Sequence, residues 1–330
     1  MRIAINGFGR IGRCLVRAGL KNGFFDKNEL VAVNDLSDAK DMAYLLKYDS
    51  VHRTLEEKIT VKNDAITVGK TTFATLCQRD ALQLPWSKHE VDLVIDATGV
   101  MKDKVDCLKH LTAGARKVLV TSPLDNADSV IVPGVNEEKL DKSHSVVSMA
   151  SCTTNALAPV AKILDAAYGI ESGFLCTTHA YTNDQKLLDQ DHKDYARGRS
   201  AALSIIPSTT GAAKAIGKVL PALQGKLDGI ALRVPVPDGS INGLVVQVKK
   251  AASKDEINAL LKKKAEGEFK KIMAYNEEPI VSSDIIGRSE SSIVDSLRTM
   301  SIKNTMQVYS WYDNEWGYVN RLCDLGQMMK

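Results

Sequence analysis

The chain has 330 residues, 44% of them apolar and 25% charged, with a net charge of +3. That is the composition of a soluble globular protein long enough for two domains. So small a charge, without a block of like charges, leaves no nucleic-acid footprint, and no apolar run approaches the ~20 residues that span a membrane.

The first half alternates strand and helix patterns. Residues 2–6 read as a strand, 11–22 as a helix, 30–34 as a strand and 38–48 as a helix. Two β-rich segments, 58–61 and 65–76, are joined by a turn at Asn63-Asp64. Strands follow at 91–97, 117–121, 130–135 and 145–149, with a helix at 102–111. Alternation at this spacing predicts a mostly parallel sheet covered on both faces, with ligands at the carboxyl ends of its strands. The chain opens directly into its first strand, so no signal peptide is expected. Six scattered cysteines without a CxxC pair point to reduced, cytoplasmic usage, with neither a disulfide frame nor a metal site.

The first strand runs into Asn6-Gly-Phe-Gly-Arg-Ile-Gly12. The glycines permit a tight turn, close approach of a pyrophosphate and close helix–strand contact. Asp35, 23 residues past Gly12 at the end of the second strand, sits where an acid holds a ribose 2′-hydroxyl and repels a 2′-phosphate. The expected cofactor is therefore NAD rather than NADP.

At Ser151-Cys152 a buried strand gives way to an apolar-periodic helix. Unpaired N–H groups and the helix dipole favour an anion there, so the Cys152 thiol is expected to have a lowered pKa and to be nucleophilic; position alone leaves open the alternative of a small buried hydrophobe, as most free cysteines are. The second half reads as α+β with an antiparallel sheet. A strand over 174–179 ends in His179, and a polar segment of little periodicity covers 180–204. Thr209-Thr210-Gly211 leads into a helix over 212–220 and offers either a cap or a phosphate site. Strands over 229–236 and 243–249 alternate like antiparallel strands; Arg233 on the first is either a core-edge ion pair or an anion ligand. A Ser253-capped helix covers 253–272, with Lys262-Lys263-Lys264 as a solvated face. A strand covers 306–313 and a terminal helix 316–329.

Of six histidines, His89, His110 and His192 fall among charged or helical surface residues and His52 and His144 in polar turns. His179 ends a strand beside a polar loop, which makes it the base candidate for Cys152.

From Ile5 to Gly12, through Ala150-Ser-Cys-Thr-Thr-Asn155 and Arg233-Val-Pro235, to Ser310-Trp-Tyr-Asp-Asn-Glu-Trp-Gly317, the chain resembles the phosphorylating glyceraldehyde-3-phosphate dehydrogenases of bacteria, collinearly over essentially its whole length. The resemblance implies a Rossmann NAD-binding domain, α/β with a mostly parallel sheet (residues 1–151 with the C-terminal helix 315–330), and an α+β catalytic domain with a mostly antiparallel sheet (152–314). It implies Cys152 as nucleophile and His179 as base. Gly7, Gly9, Arg10, Ile11, Gly12, Asp35, Arg79, Thr98, Thr121, Asn314 and Tyr318 match cofactor contacts. Thr182 and Arg233 match the site of the substrate's C3 phosphate; Ser151, Thr153, Thr210 and Gly211 match the site of attacking inorganic phosphate, and Arg199 an arginine between the two. Residues 180–204 match the S-loop at the core of a homotetramer. The implied reaction converts glyceraldehyde 3-phosphate, NAD and inorganic phosphate to 1,3-bisphosphoglycerate through a Cys152 thioester, in glycolysis or gluconeogenesis.

The chain departs from the family pattern at Ala156, where cysteine is frequent, at Arg53, at Asp191, and at Pro237-Asp-Gly-Ser240 in place of a Pro-Asn-Val-Ser type. Competing readings are a water-using erythrose-4-phosphate dehydrogenase and a non-catalytic binding protein on the same fold. The phosphate-site pattern Thr209-Thr210-Gly211 argues against the first, and the complete set of Cys152, His179, Arg199 and Arg233 against the second.

Overall fold

The computed structural model describes residues 1–330. The chain divides into two compact units, one of residues 1–131, 137–150 and 319–330, the other of residues 132–136 and 151–318.

The first unit contains β1 (Arg2–Asn6), α1 (Arg10–Lys21), α2 (Phe24–Lys27), β2 (Glu29–Asn34), α3 (Ala39–Lys47), β3 (Ile59–Lys62), β4 (Ala65–Val68), β5 (Thr71–Leu76), β6 (Leu93–Asp96), α4 (Lys104–Thr112), β7 (Lys117–Val120), β8 (Ser129–Val130) and β9 (Val146–Ser148). They form one sheet in the order β3-β4-β5-β2-β1-β6-β7-β9-β8. Pairing is parallel from β5 to β8 and antiparallel among β3, β4 and β5. The central strands are apolar runs because both faces are covered: Ile3, Ala4, Ile5, Leu93, Val94 and Ile95 are wholly buried. One face packs Ala4, Ala32, Val94 and Val118 against Trp86, Met101 and Cys107. From β1 the chain moves to β2 on one side and later to β6 on the other, so strand order reverses at β1, where such sheets bind ligands.

The second unit contains α5 (Cys152–Tyr168), β10 (Ile170–Ala180), β11 (Ile206–Thr209), α6 (Ala212–Val219), β12 (Leu227–Val234), β13 (Ser240–Val248), α7 (Lys254–Glu266), β14 (Met273–Asn276), β15 (Ser292–Asp295), β16 (Met300–Ile302), β17 (Thr305–Tyr312) and the start of α8 (Trp316–Met328). Its sheet runs β11-β12-β10-β13-β17-β15-β14, with β16 beside β17. Most pairs are antiparallel; β10–β12 and β14–β15 are parallel.

Several elements differ from the sequence expectation. Segment 65–76 is two strands, broken where Gly69 takes a φ of 57°. The strand expected over 130–135 is only Ser129–Val130, since Pro133-Gly134 turns the chain away. The helix expected to reach residue 272 stops at Glu266 with Gly267 as its C-cap, although its Ser253–Glu256 capping box is present. Strand β12 alternates as expected but pairs parallel with β10, because alternation reports a half-buried face and not a strand direction.

Candidate active site

At the carboxyl ends of β1, β2 and β6 a cavity of about 510 Å³ is lined by Gly7, Gly9, Asp35, Arg79 and Thr98, with Asn6, Asn34 and Gln78. Gly7 has a φ of 93°, and a Cβ there would stand 2.7 Å from the backbone of Ala97 and Thr98. A Cβ at Gly12 would meet the Gly7 carbonyl oxygen at 2.2 Å, whereas one at Gly9 would meet nothing within 4 Å. The first and third glycines are thus needed for packing, and the second leaves room. Gly9 is also the N-cap of α1 and supplies no side-chain cap, so the helix start is left for a ligand. Ile11 lies in the first turn of that helix. Arg10 pairs with the buried Asp49 (Nη1 to Oδ2, 2.7 Å).

The carboxylate of Asp35 accepts from Phe8 N–H at 2.7 Å through one oxygen and from Leu36 N–H at 2.7 Å through the other. It ties the glycine turn to the end of β2. Thr98 donates its hydroxyl to Asp96 at 2.7 Å, and Thr121 N–H bonds Asp96 O at 3.0 Å. These residues fit a dinucleotide: a cradle closed to a Cβ at Gly7 and Gly12 and open at Gly9, an open helix start and an acid at the ribose position.

In the second unit, Ser151 is the N-cap of α5; its Oγ accepts from Thr154 N–H at 3.1 Å and Cys152 becomes the first helical residue. Cys152 Sγ lies 3.5 Å from His179 Nε2. His179 Nδ1 lies 2.7 Å from both Ala180 O and the donor-only Arg233 Nη1; donation to Ala180 O is the tautomer that turns the Nε2 lone pair to the sulfur. Arg233 is the register partner of His179 across the parallel strands β10 and β12, and its Nη1 donates to Ala180 O at 3.2 Å. Arg233 Nε is buried without a partner in the chain, a donor available to an anion.

The electrostatics correct one expectation. The Cys152 thiol is pushed up to about 11, because burial outweighs Arg233 and the Thr153 hydrogen bonds that pull it down. Burial, then Arg233, pushes His179 down to about 3. Both shifts favour the neutral thiol and the neutral imidazole. A helix start alone does not offset desolvation of the sulfur.

The other expected residues fall into distinct groups. The Thr153 hydroxyl bonds Tyr312 Oη at 2.9 Å, and Tyr312 reaches Thr177 at the same distance and stands edge-on to His179. Asn314 Oδ1 accepts from Ser240 Oγ at 2.6 Å, and Ser240 Oγ accepts from Ala180 N–H, so Asn314 is held against the end of β10. Tyr318 is buried, and burial followed by Cys152 raises its phenol well above the ordinary value. Thr182 N–H bonds Gln185 Oε1 at 3.3 Å just past β10. The Thr210 hydroxyl accepts from Ala212 N–H at 3.2 Å, and Gly211 is the N-cap of α6, so this turn does cap the helix.

Arg199 is not brought to this group. It is 67% exposed and its Nε donates to Asp189 at 2.9 Å. Arg197 is the arginine that turns inward. It donates to Thr209 O at 3.0 Å and to Asp184 at 2.5 Å, and its charge acts on Arg233. Sequence reasoning missed Arg197, Tyr312 and Ser240. Only contacts single out Arg197; Tyr312 stands in the Ser310–Gly317 motif and Ser240 in the departing Pro237–Ser240 stretch. It also misplaced His110, which is wholly buried.

Asp238, in that same stretch, is buried beside Asp313. Both carboxyls are pushed up, chiefly by burial, with Asp313 and Glu315 adding to the shift at Asp238. Asp313 Oδ1 accepts from Glu315 and Trp316 N–H at the start of α8, and Oδ2 from Gly287 N–H.

Residues 1–104 match the glyceraldehyde 3-phosphate dehydrogenase NAD binding domain and residues 151–314 the C-terminal domain of the same enzymes. The chain is 50% identical over 329 residues to a glyceraldehyde-3-phosphate dehydrogenase of Priestia megaterium, covering 99% of this chain and 97% of the relative. It is 51% identical over 327 residues to glyceraldehyde-3-phosphate dehydrogenase 2 of Streptomyces avermitilis (98% and 97%). To the enzyme of that name from Thermotoga maritima it is 48% identical over 329 residues (99% and 98%). By these matches the chain belongs to the glyceraldehyde-3-phosphate dehydrogenase family, a family of NAD-dependent oxidoreductases.

Proposed function

We propose that the protein oxidises and phosphorylates glyceraldehyde 3-phosphate to 1,3-bisphosphoglycerate, with Cys152 as nucleophile and His179 as its acid and base. The observation that carries this reading is the 3.5 Å approach of Cys152 Sγ to His179 Nε2. As Sγ attacks the aldehyde carbon, its proton passes to Nε2, and each new charge stabilises the other at that distance. Imidazolium and the helix-start N–H groups then face the hemithioacetal oxygen, an arrangement that contributes about 3 kcal/mol elsewhere. The chemistry NAD supplies when bound is hydride acceptance, which takes the carbon to the acyl level. Inorganic phosphate then attacks the thioester carbon; the C–S bond breaks and the acyl phosphate leaves.

Two anions need two sites. Thr182 and the unpartnered Nε of Arg233 are assigned to the substrate's phosphate. Ser151, Thr153, Thr210 and Gly211 are assigned to the attacking phosphate, and Arg197 takes the position first given to Arg199. Gly7, Gly9, Arg10, Ile11, Gly12, Asp35, Arg79, Thr98 and Thr121 are assigned to NAD, and Asn314 and Tyr318 keep the cofactor roles the resemblance gives them. Most of the cofactor assignments thus fall in the first unit, while Asn314, Tyr318 and the substrate chemistry fall in the second.

A homotetramer built on residues 180–204 would cover the exposed Leu187, Leu188, Tyr195 and Leu203. Six free cysteines and no helix long and apolar enough to cross a membrane fit a cytoplasmic setting.

Initial rates test the reaction. NADH formation from glyceraldehyde 3-phosphate is expected to require phosphate or arsenate and to favour NAD over NADP. An equal rate without either anion would point to water as the acyl acceptor, the erythrose-4-phosphate type of chemistry. A Cys152→Ser variant with full activity would remove the nucleophile assignment.

A further inference from the structure

His110, Asp96, Asn6 and Asn34 form a buried ladder of side chains beneath the cavity of the first unit. Asn34, Asn6 and Asp96 are the last residues of β2, β1 and β6, and they are register partners across those strands. Asn34 Nδ2 donates to Asn6 Oδ1 at 2.7 Å, and Asn6 Nδ2 donates to Asp96 Oδ2 at 2.8 Å. At one end the ladder is pinned to the backbone of Gln78, whose N–H donates to Asn34 Oδ1 at 2.9 Å. At the other end stands His110 on α4, with Nε2 3.2 Å from Asp96 Oδ2. None of these four side chains is more than 4% exposed.

The tautomer of His110 follows from its second neighbour. Trp86 Nε1–H, which can only donate, lies 2.9 Å from His110 Nδ1. Nδ1 must accept, so Nε2 carries the proton and donates to Asp96. Trp86 is itself wholly buried, which leaves its N–H no alternative partner in water. Asp96 then has one oxygen held by His110 and Asn6 and the other by Thr98 N–H and hydroxyl at 3.2 and 2.7 Å.

Asn6, Asn34, Gln78 and Thr98 line the cavity; Asp96 and His110 do not. The Gly7 turn packs directly on the backbone of Ala97 and Thr98, so the direction in which Asp96 holds Thr98 fixes one wall of the cradle against the other. We propose that His110 is a positioning residue for the cofactor: from outside the pocket it orients Asp96, and through Asp96 it sets Asn6 and Thr98 to receive NAD. The proposal rests on the assignment of this cavity to NAD.

The test is titration calorimetry of NAD into purified protein, with steady-state rates alongside. His110→Ala is expected to raise the NAD dissociation constant about tenfold, the effect of one misplaced hydrogen bond, and to raise the KM for NAD while kcat at saturating NAD stays within about twofold. His110→Gln keeps an acceptor for Trp86 and a donor for Asp96, and should recover most of the affinity. Trp86→Phe removes the N–H that selects the tautomer and should weaken NAD in the same direction. Nitrogen-15 spectra of the wild type should show His110 protonated at Nε2 only. Wild-type affinity in His110→Ala, or no recovery in His110→Gln, would overturn the proposal. Should His110→Ala fail to fold, the Gln and Phe variants still decide it. Asp35→Ala separates the two levels: if it too leaves NAD affinity unchanged, the cavity is not the cofactor's, and the assignment fails rather than the ladder.

Discussion

His179 and Arg233 are register partners on adjacent parallel strands, and the guanidinium Nη1 sits 2.7 Å from the imidazole Nδ1. A fixed positive charge at that distance opposes a second proton on the ring and favours a negative sulfur beyond it. It acts on both members of the Cys152–His179 pair, lowering the pKa of each.

Replacing Arg233 by Gln should therefore raise both values. The rate of Cys152 alkylation by iodoacetamide, followed against pH, is expected to show its midpoint displaced upward by about one unit. A midpoint unchanged or displaced downward would show that burial alone governs the sulfur.

The glycine turn separates packing from ligand approach. Gly12→Ala places a methyl 2.2 Å from the Gly7 carbonyl oxygen and should destabilise the fold by about 1–3 kcal/mol in a denaturant titration. Gly9→Ala enters open space and should change stability by less than about 1 kcal/mol while weakening NAD. Equal stability losses in the two variants would contradict the contacts described.

Two neighbouring arginines should behave differently. Arg197 touches the Thr209 carbonyl beside the proposed phosphate turn, whereas Arg199 makes an exposed pair with Asp189. Arg197→Ala is expected to lower the phosphate-dependent rate by about 10–100-fold, the scale of a lost charged hydrogen bond. Arg199→Ala should change stability by no more than about 1 kcal/mol, as exposed pairs do, and leave the KM for phosphate near wild type. The reverse ranking would restore Arg199 to the anion site.

Asp238 gives stability a pH dependence whose sign is fixed. Burial and Asp313 raise its folded pKa far above that of the unfolded chain. The folded state keeps a proton that the unfolded state releases, so this contribution is fully present below the unfolded carboxylate range and is lost as pH rises through the folded value. Asp238→Asn removes that loss. Its unfolding free energy should match the wild type near pH 4 and exceed it increasingly toward pH 9, by up to about 1.4 kcal/mol per pH unit. A constant difference across that range would mean that Asp238 is already ionised in the fold.

Much of the site was legible in order along the chain because local rules write it there. Gly7, Gly9 and Gly12 are spaced by the needs of one turn, and Ser151-Cys152 marks a helix start with a thiol on it. What was not legible depends on which strands become neighbours. Arg233 could be read as a core-edge ion pair or as an anion ligand until β12 paired with β10 and set it beside His179. Arg197 and Arg199 are two residues apart in a segment without helix or strand, where no period says which side chain turns inward. His110 looked like a surface residue on a polar helix, and only the packing of α4 under the cavity buries it.

The sequence by itself determined the two sheet classes, the cofactor turn with its acid, and the family, since these rest on contacts between residues close in the chain or on ordered motifs. The tertiary structure set the burial of Cys152 and His179, the different surroundings of Arg197 and Arg199, and the ladder from Trp86 to Gln78. Burial, strand register and the direction of a side chain are properties of residues brought together from far apart, and desolvation acts only once they have met.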